Sequence, residues 1–141
     1  MITAVDTNVL VDVLTGDEQH AAASARALST CVREGSVIAS EVVWAETAAG
    51  YGDPGAFRDA MRRLGVEFAP LQQAAAEAAS AAWRLYRVQG GTRSRIVGDF
   101  LVGAHARHQA ERLLTRDRGF VGRYFAQLVV VDPSSDGPRG G

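Results

Sequence analysis

Five short apolar runs punctuate this chain, and the segments between them fix its architecture. The runs are "ITAV" (2–5), "SVIAS" (36–40), "VEFAP" (66–70), "RLLT" (112–115) and "LVVVD" (128–132). Each has the length of a buried strand. The segments between them carry helix signals. A short helix is expected through Val9 to Leu14. Asp17 reads as the N-cap of a helix running to about Glu34, with Gly35 as its stop. Ser40 is placed to cap a helix carrying "VVWAETAA". Asp53 and Pro54 open another that runs to Leu64, where Gly65 ends it. An alanine-rich helix should span 71 to about 88, and "GDFLVGAHARHQA" a further one with Asp99 in its lead. "GGTRSR" is a loop, and "RGFVGRYF" a turn with a short helix.

Strands alternating with helices predict an α/β fold, an α/β/α sandwich around a mostly parallel sheet of about four to five short strands. Residues 1–132 form a single domain in this reading, and the polar 133–141 segment is expected to be a disordered tail. A chain of 141 residues suits one domain. At that size it buries roughly 70% of its unfolded surface and needs no staples.

Composition narrows the function by exclusion. The formal net charge is −1, so any polyanion site must be local. All 15 basic residues are arginine, which rules out a lysine nucleophile, a Schiff base or a P-loop lysine. A single cysteine, Cys31, cannot form a disulfide within the chain and suits a reducing, cytoplasmic setting. No signal peptide or membrane span is expected.

Parallel α/β sheets bind ligands beyond the carboxyl ends of their strands. Four acids fall near that edge. Asp6 ends the first run, Asp117 follows the fourth, Asp99 follows the apolar "IVG", and Glu46 interrupts an apolar helix. Each has a structural alternative. Asp6 and Asp99 suit helix caps, and Asp117 suits the turn "RDRG". Glu46 is expected beside the core, and Glu41, in the first turn of the same helix, is read as structural. Together, four carboxylates near a core would repel unless a cation neutralised them. Oxygen donors without cysteine or paired-histidine spacing point to Mg²⁺ or Mn²⁺. His20, His105 and His108 are assigned packing or surface roles.

"VDTNVLVD", "ASEVVWAE", "GDFLVGAHA" and "LLTRDRGFVGRYF…LVVVDP", in this order, cover nearly the whole chain. In them the chain resembles the PIN-domain ribonucleases, and among these the VapC-type toxins of toxin–antitoxin pairs. The resemblance implies that Asp6, Glu46, Asp99 and Asp117 are the acidic catalytic positions, with Asp6, Asp99 and Asp117 holding one or two Mg²⁺ or Mn²⁺ ions. Asn8 and Thr115 match polar positions beside them. Gly119 stands where some relatives carry a further acid, which leaves the metal number open. The implied reaction is hydrolysis of RNA phosphodiesters by water, leaving a 5′-phosphate and a 3′-hydroxyl. Metal-held carboxylates make chemical sense of it, because a bound divalent ion lowers the pKa of water and screens phosphate charge. Arg93, Arg95 and Arg116 supply local positive charge for RNA, with Arg118 nearby, and arginine forks suit phosphate. The same arginines are placed to balance the carboxylates.

By the same resemblance the partners are an RNA substrate, a VapB-like antitoxin and a second copy in a homodimer. Trp44, Tyr51, Phe57 and Met61 are candidates either for an interface or for the core. A phosphotransferase of the haloacid-dehalogenase type is disfavoured, because it wants a second acid where Asn8 stands and a lysine later. A non-catalytic PIN-like RNA-binding module, a nuclease outside a toxin–antitoxin pair, and one acting on structured DNA remain as rivals.

Overall fold

The computed structural model describes residues 1–91 and 95–134. Arg93 and all but the first two residues of the expected tail lie outside them. Five strands are formed among these residues: β1 (Ile2–Val5), β2 (Ser36–Ala39), β3 (Val66–Phe68), β4 (Arg112–Leu114) and β5 (Val129–Val131). Among the described residues seven helices join them: α1 (Thr7–Thr15), α2 (Ala21–Glu34), α3 (Glu41–Ala49), α4 (Pro54–Leu64), α5 (Gln73–Val88), α6 (Val97–Gln109) and α7 (Arg118–Tyr124). The sheet order is β3-β2-β1-β4-β5, and all four pairings are parallel.

That order places the site. The chain winds outward from β1 to β2 and β3, then returns to the other side of β1 for β4 and β5. The winding direction therefore reverses between β1 and β4, the kind of crevice where α/β sheets bind ligands. Asp6 leaves the end of β1, and its N–H donates to the Leu114 carbonyl at 2.9 Å. Thr115 leaves the end of β4, and its N–H donates to Val131 at 3.0 Å.

Local chemistry explains the element ends. Ser40 and Asp53 cap α3 and α4 through their side chains, as their sequence positions suggest. Helix α1 starts two residues earlier than the apolar pattern implies. Asp6 has extended backbone and its Oδ1 accepts from the Thr7 N–H at 2.7 Å, so the helix can begin directly behind the strand. Helix α2 starts later than expected, at Ala21. Asp17 instead closes a turn ahead of it, accepting from the His20 N–H at 2.8 Å. Strand β3 stops at Phe68, before Pro70, which has no N–H for the ladder. The N–H groups of Leu71 and Gln72 are taken by the side chains of Glu41 and Gln109, so α5 begins at Gln73. Glu41 thus serves structure, as its position suggested.

The core is one cluster. Val5, Val9, Leu10, Val37, Phe57, Met61, Phe100, Leu113 and Leu114 are all essentially inaccessible. Phe57 and Met61 are therefore core and not available to a partner. Trp44 is half-buried, edge-on to Phe57 and Phe68, while Tyr51 is exposed. Gly65 ends α4 in the left-handed region (φ 81°, ψ 23°). A Cβ there would also lie 3.1 Å from Val32 Cγ1. Gly65→Ala should destabilise the fold by about 1–2 kcal/mol, read as a lower urea midpoint with unchanged m-value.

Candidate metal and catalytic site

The ends of β1 and β4 are tied together by side chains. The Thr115 hydroxyl, fully buried, donates to Asp6 Oδ2 at 2.7 Å. It accepts from Asn8 Nδ2 at 3.3 Å and from the Asp117 N–H at 3.0 Å. Asn8 Nδ2 also lies 3.4 Å from Asp6 Oδ2, and Asn8 Oδ1 accepts from the Arg116 N–H at 3.2 Å. Helix α1 thus holds Asn8 as its second residue, two positions past the Asp6 cap, where its amide bridges both strand ends.

Asp6 is the electrostatic centre. Burial raises its carboxyl pKa above the ordinary value. The hydrogen bonds from Thr115 and the Thr7 N–H pull it back, and the charges of Asp117 and Asp99 push it up again. Three of the four expected carboxylates therefore share one field. Each is engaged by a different donor. Asp99 Oδ2 accepts from the Ile96 N–H at 3.2 Å in the first turn of α6, so it keeps its capping role. Asp117 is gripped by the Arg95 fork at 2.6 and 3.2 Å. Arg95 stacks its guanidinium 4.3 Å from the Phe120 ring centroid. Its pKa is raised, chiefly by the hydrogen bond to Asp117.

Glu46 departs from expectation. It is exposed, not core-adjacent, because the buried side of α3 is drawn by Val43 and Thr47. It joins the site's rim through the Thr7 hydroxyl, which donates to Glu46 Oε1 at 2.8 Å. The four acids do not converge on one point. Among the described residues no three His, Cys, Asp or Glu side chains are grouped tightly enough to hold a metal ion. The donors themselves fit a hard divalent cation, being carboxylates and a hydroxyl that bind by oxygen.

The arginines sort differently from the sequence reading. Arg116 turns away from the crevice and forks onto Asp12, with Nε 2.8 Å from Oδ2 and Nη2 3.0 Å from Oδ1. Asp12 is 4% exposed and also accepts from the Ser24 hydroxyl at 2.7 Å. Arg118 lies 3.7 Å from Asp132. Arg95 and Arg116 are thus both in use as partners of acids.

The sequence reading missed Thr7 at the site's rim and Asp12, the buried partner of Arg116 outside the crevice. Asp12 stands one turn beyond Asn8 on the same face of α1, a spacing that signals a shared surface. His105 is buried, with Nε2 2.9 Å from the Ala69 carbonyl oxygen, and burial lowers its pKa. A carbonyl only accepts, so Nε2 carries the hydrogen and the ring joins β3's end to α6. His108 is exposed.

Comparisons agree with this geometry. The family model described as "PIN domain" matches residues 3–125. No curated protein matches the sequence at a significant level. Among solved structures, VapBC2 from Rickettsia felis, bound to a DNA fragment from its promoter, aligns at TM-score 0.70 and 16% identity, over 94% of this chain and 98% of that one. A toxin–antitoxin complex from Klebsiella pneumoniae aligns at TM-score 0.66 and 22% identity, over 93% and 97%. VapBC-1 from nontypeable Haemophilus influenzae aligns at 0.68 and 16%, over 95% and 99%. At these identities the structural likeness establishes the fold, and the family model covers most of the chain. Crevice, motif order and match together make this chain a member of the PIN-domain family.

Proposed function

We propose that this chain is a divalent-metal-dependent endoribonuclease and the toxin of a VapBC-type toxin–antitoxin pair. One observation carries the reading: at the β1–β4 crevice, Asp6 is held by Thr115 within reach of the charges of Asp99 and Asp117. Retaining three carboxylates in a part-buried crevice, with Arg95 as their one ion-pair partner among the described residues, is unfavourable, which makes sense where a cation and a phosphate meet.

Asp6, Asp99 and Asp117 would hold Mg²⁺ or Mn²⁺. When bound, such an ion supplies Lewis acidity toward phosphate oxygen and lowers the pKa of water. The chain's own residues do the rest. Thr115 and Asn8 fix the rotamer of Asp6. The Asp117 N–H is tied to Thr115, which sets where the Asp117 carboxylate starts. Glu46, exposed at the rim with the Thr7 hydroxyl donating to it, would orient the attacking water or meet the ion through water. Arg95 supplies a fork for phosphate. The solved neighbours are complexes of toxins with antitoxins, which supports an antitoxin partner here, and a homodimer follows from the family resemblance.

The decisive test is incubation of the purified chain with total bacterial RNA and Mg²⁺ or Mn²⁺, followed by mapping of the 5′ ends. Discrete 5′-phosphorylated ends, abolished by EDTA, are expected. Intact RNA together with normal growth on induction of the chain alone would favour the non-catalytic module. Asn8→Ala should lower the cleavage rate about 10–100-fold, the usual cost of losing a group that orients a metal ligand. Initial rates with an unchanged far-UV spectrum would check this.

A further inference from the structure

The grip of Arg95 on Asp117 has a meaning beyond charge balance. The fork is bidentate, at 2.6 and 3.2 Å, and takes both carboxylate oxygens of Asp117. The field of Asp99 reaches the same guanidinium. A divalent cation wants those same oxygens. The two side chains remain 30% and 32% exposed. At that exposure the pair is held loosely, since solvent competes for both charges. The guanidinium is nonetheless kept in place when it lets go, because its plane lies over Phe120. Phe120 is itself buried, edge-on to Phe100 at a centroid distance of 5.1 Å.

From this geometry we infer that Arg95 is a built-in competitor of the divalent cation: it occupies Asp117 in the metal-free protein, and the ion must displace it to assemble the site. The inference rests on the metal-nuclease reading above. It accounts for an arginine fork that takes both oxygens of a carboxylate at the crevice. It also gives the chain a threshold. When the fork is closed in about nine molecules of ten, apparent metal affinity is lowered about tenfold, because only the open fraction binds.

Direct binding of Mn²⁺ alone tests this, by calorimetry and by the loss of the free-ion paramagnetic resonance signal. Wild type, Arg95→Gln and Arg95→Lys are compared. Arg95→Gln should bind Mn²⁺ about tenfold more tightly. Arg95→Lys keeps the charge and loses the fork, so it should fall between the two. Equal affinity in wild type and Arg95→Gln, with only the melting temperature lowered, would mean that Arg95 is a structural tie, and would overturn the inference while leaving the nuclease reading intact. Arg95→Lys matching wild type would show that charge alone acts, and would overturn the competing fork. No Mn²⁺ binding by any of the three would overturn both readings.

Discussion

Asp6→Asn should reduce metal-dependent RNA cleavage by about 10²–10³-fold or more, the scale of losing one preorganised charge at a reacting centre, and should raise the stability of the metal-free protein. The two effects have one origin. Asparagine keeps the shape and its one oxygen can still cap α1, while its NH₂ group faces Thr115 and forfeits that hydrogen bond; burial of the charge, the larger influence on Asp6, outweighs that bond, so the folded framework survives. It removes a negative charge that burial, Asp117 and Asp99 all disfavour. The sign follows from linkage. The folded protein holds the Asp6 proton more tightly than the unfolded chain, so between pH 3.8, the ordinary value, and the raised folded value the native state binds more protons. This group's contribution to stability is therefore fullest below that window and is lost as pH rises through it. Above the window, wild type carries the full cost and Asp6→Asn does not. Thermal unfolding of both proteins at pH 7 in EDTA, beside cleavage assays in Mn²⁺, measures the two effects separately. A variant that lost activity and also melted earlier would identify Asp6 as a structural cap only.

The second large effect concerns Arg116. Arg116→Ala should cost about 3 kcal/mol, the low end for breaking a buried ion pair because the arginine itself remains part-exposed. In a domain of this size that lowers the melting temperature by about 10 °C. Asp12 would be left almost wholly buried with the Ser24 hydroxyl and no counter-charge. Adding Asp12→Asn in the same chain should recover part of the loss, since the stranded charge is then gone. An RNA-binding role would give a different result: little change in melting, weaker RNA binding and a shallower salt dependence. The geometry favours the first, and the same experiment reads both.

Arg116 also shows what a sequence withholds. Its partner is 104 positions away, and nothing local distinguishes an arginine aimed at a phosphate from one aimed at a buried acid. The neighbouring strands and caps are legible because their signals are local. Ser40 and Asp53 sit where caps belong, and Gly65 sits where only glycine is comfortable. The acids at the ends of β1 and β4 were legible for the same reason, since a carboxylate closing an apolar run is conspicuous. Glu46 was harder. "VVWAETAA" is apolar almost all round, so its sequence does not say which side faces the sheet. Packing decides for Val43 and Thr47, and the glutamate goes to solvent. Residues 92–94 lie outside the described structure, so the expectation for Arg93 stays one of sequence alone.

The Thr115 hydroxyl has a consequence for how the crevice is spaced. It has one hydrogen and two lone pairs. Both lone pairs are committed, to Asn8 and to the Asp117 N–H, so the hydrogen must point at Asp6. The other oxygen of Asp6 is met by the Thr7 N–H. Every neighbouring donor therefore points inward, and the relay has a polarity. The same hydroxyl that orients Asp6 also holds the backbone N–H of Asp117. The carboxylate leaving β1 and the main chain entering α7 therefore hang from a single atom, so the spacing between two acids far apart in sequence is set by one oxygen.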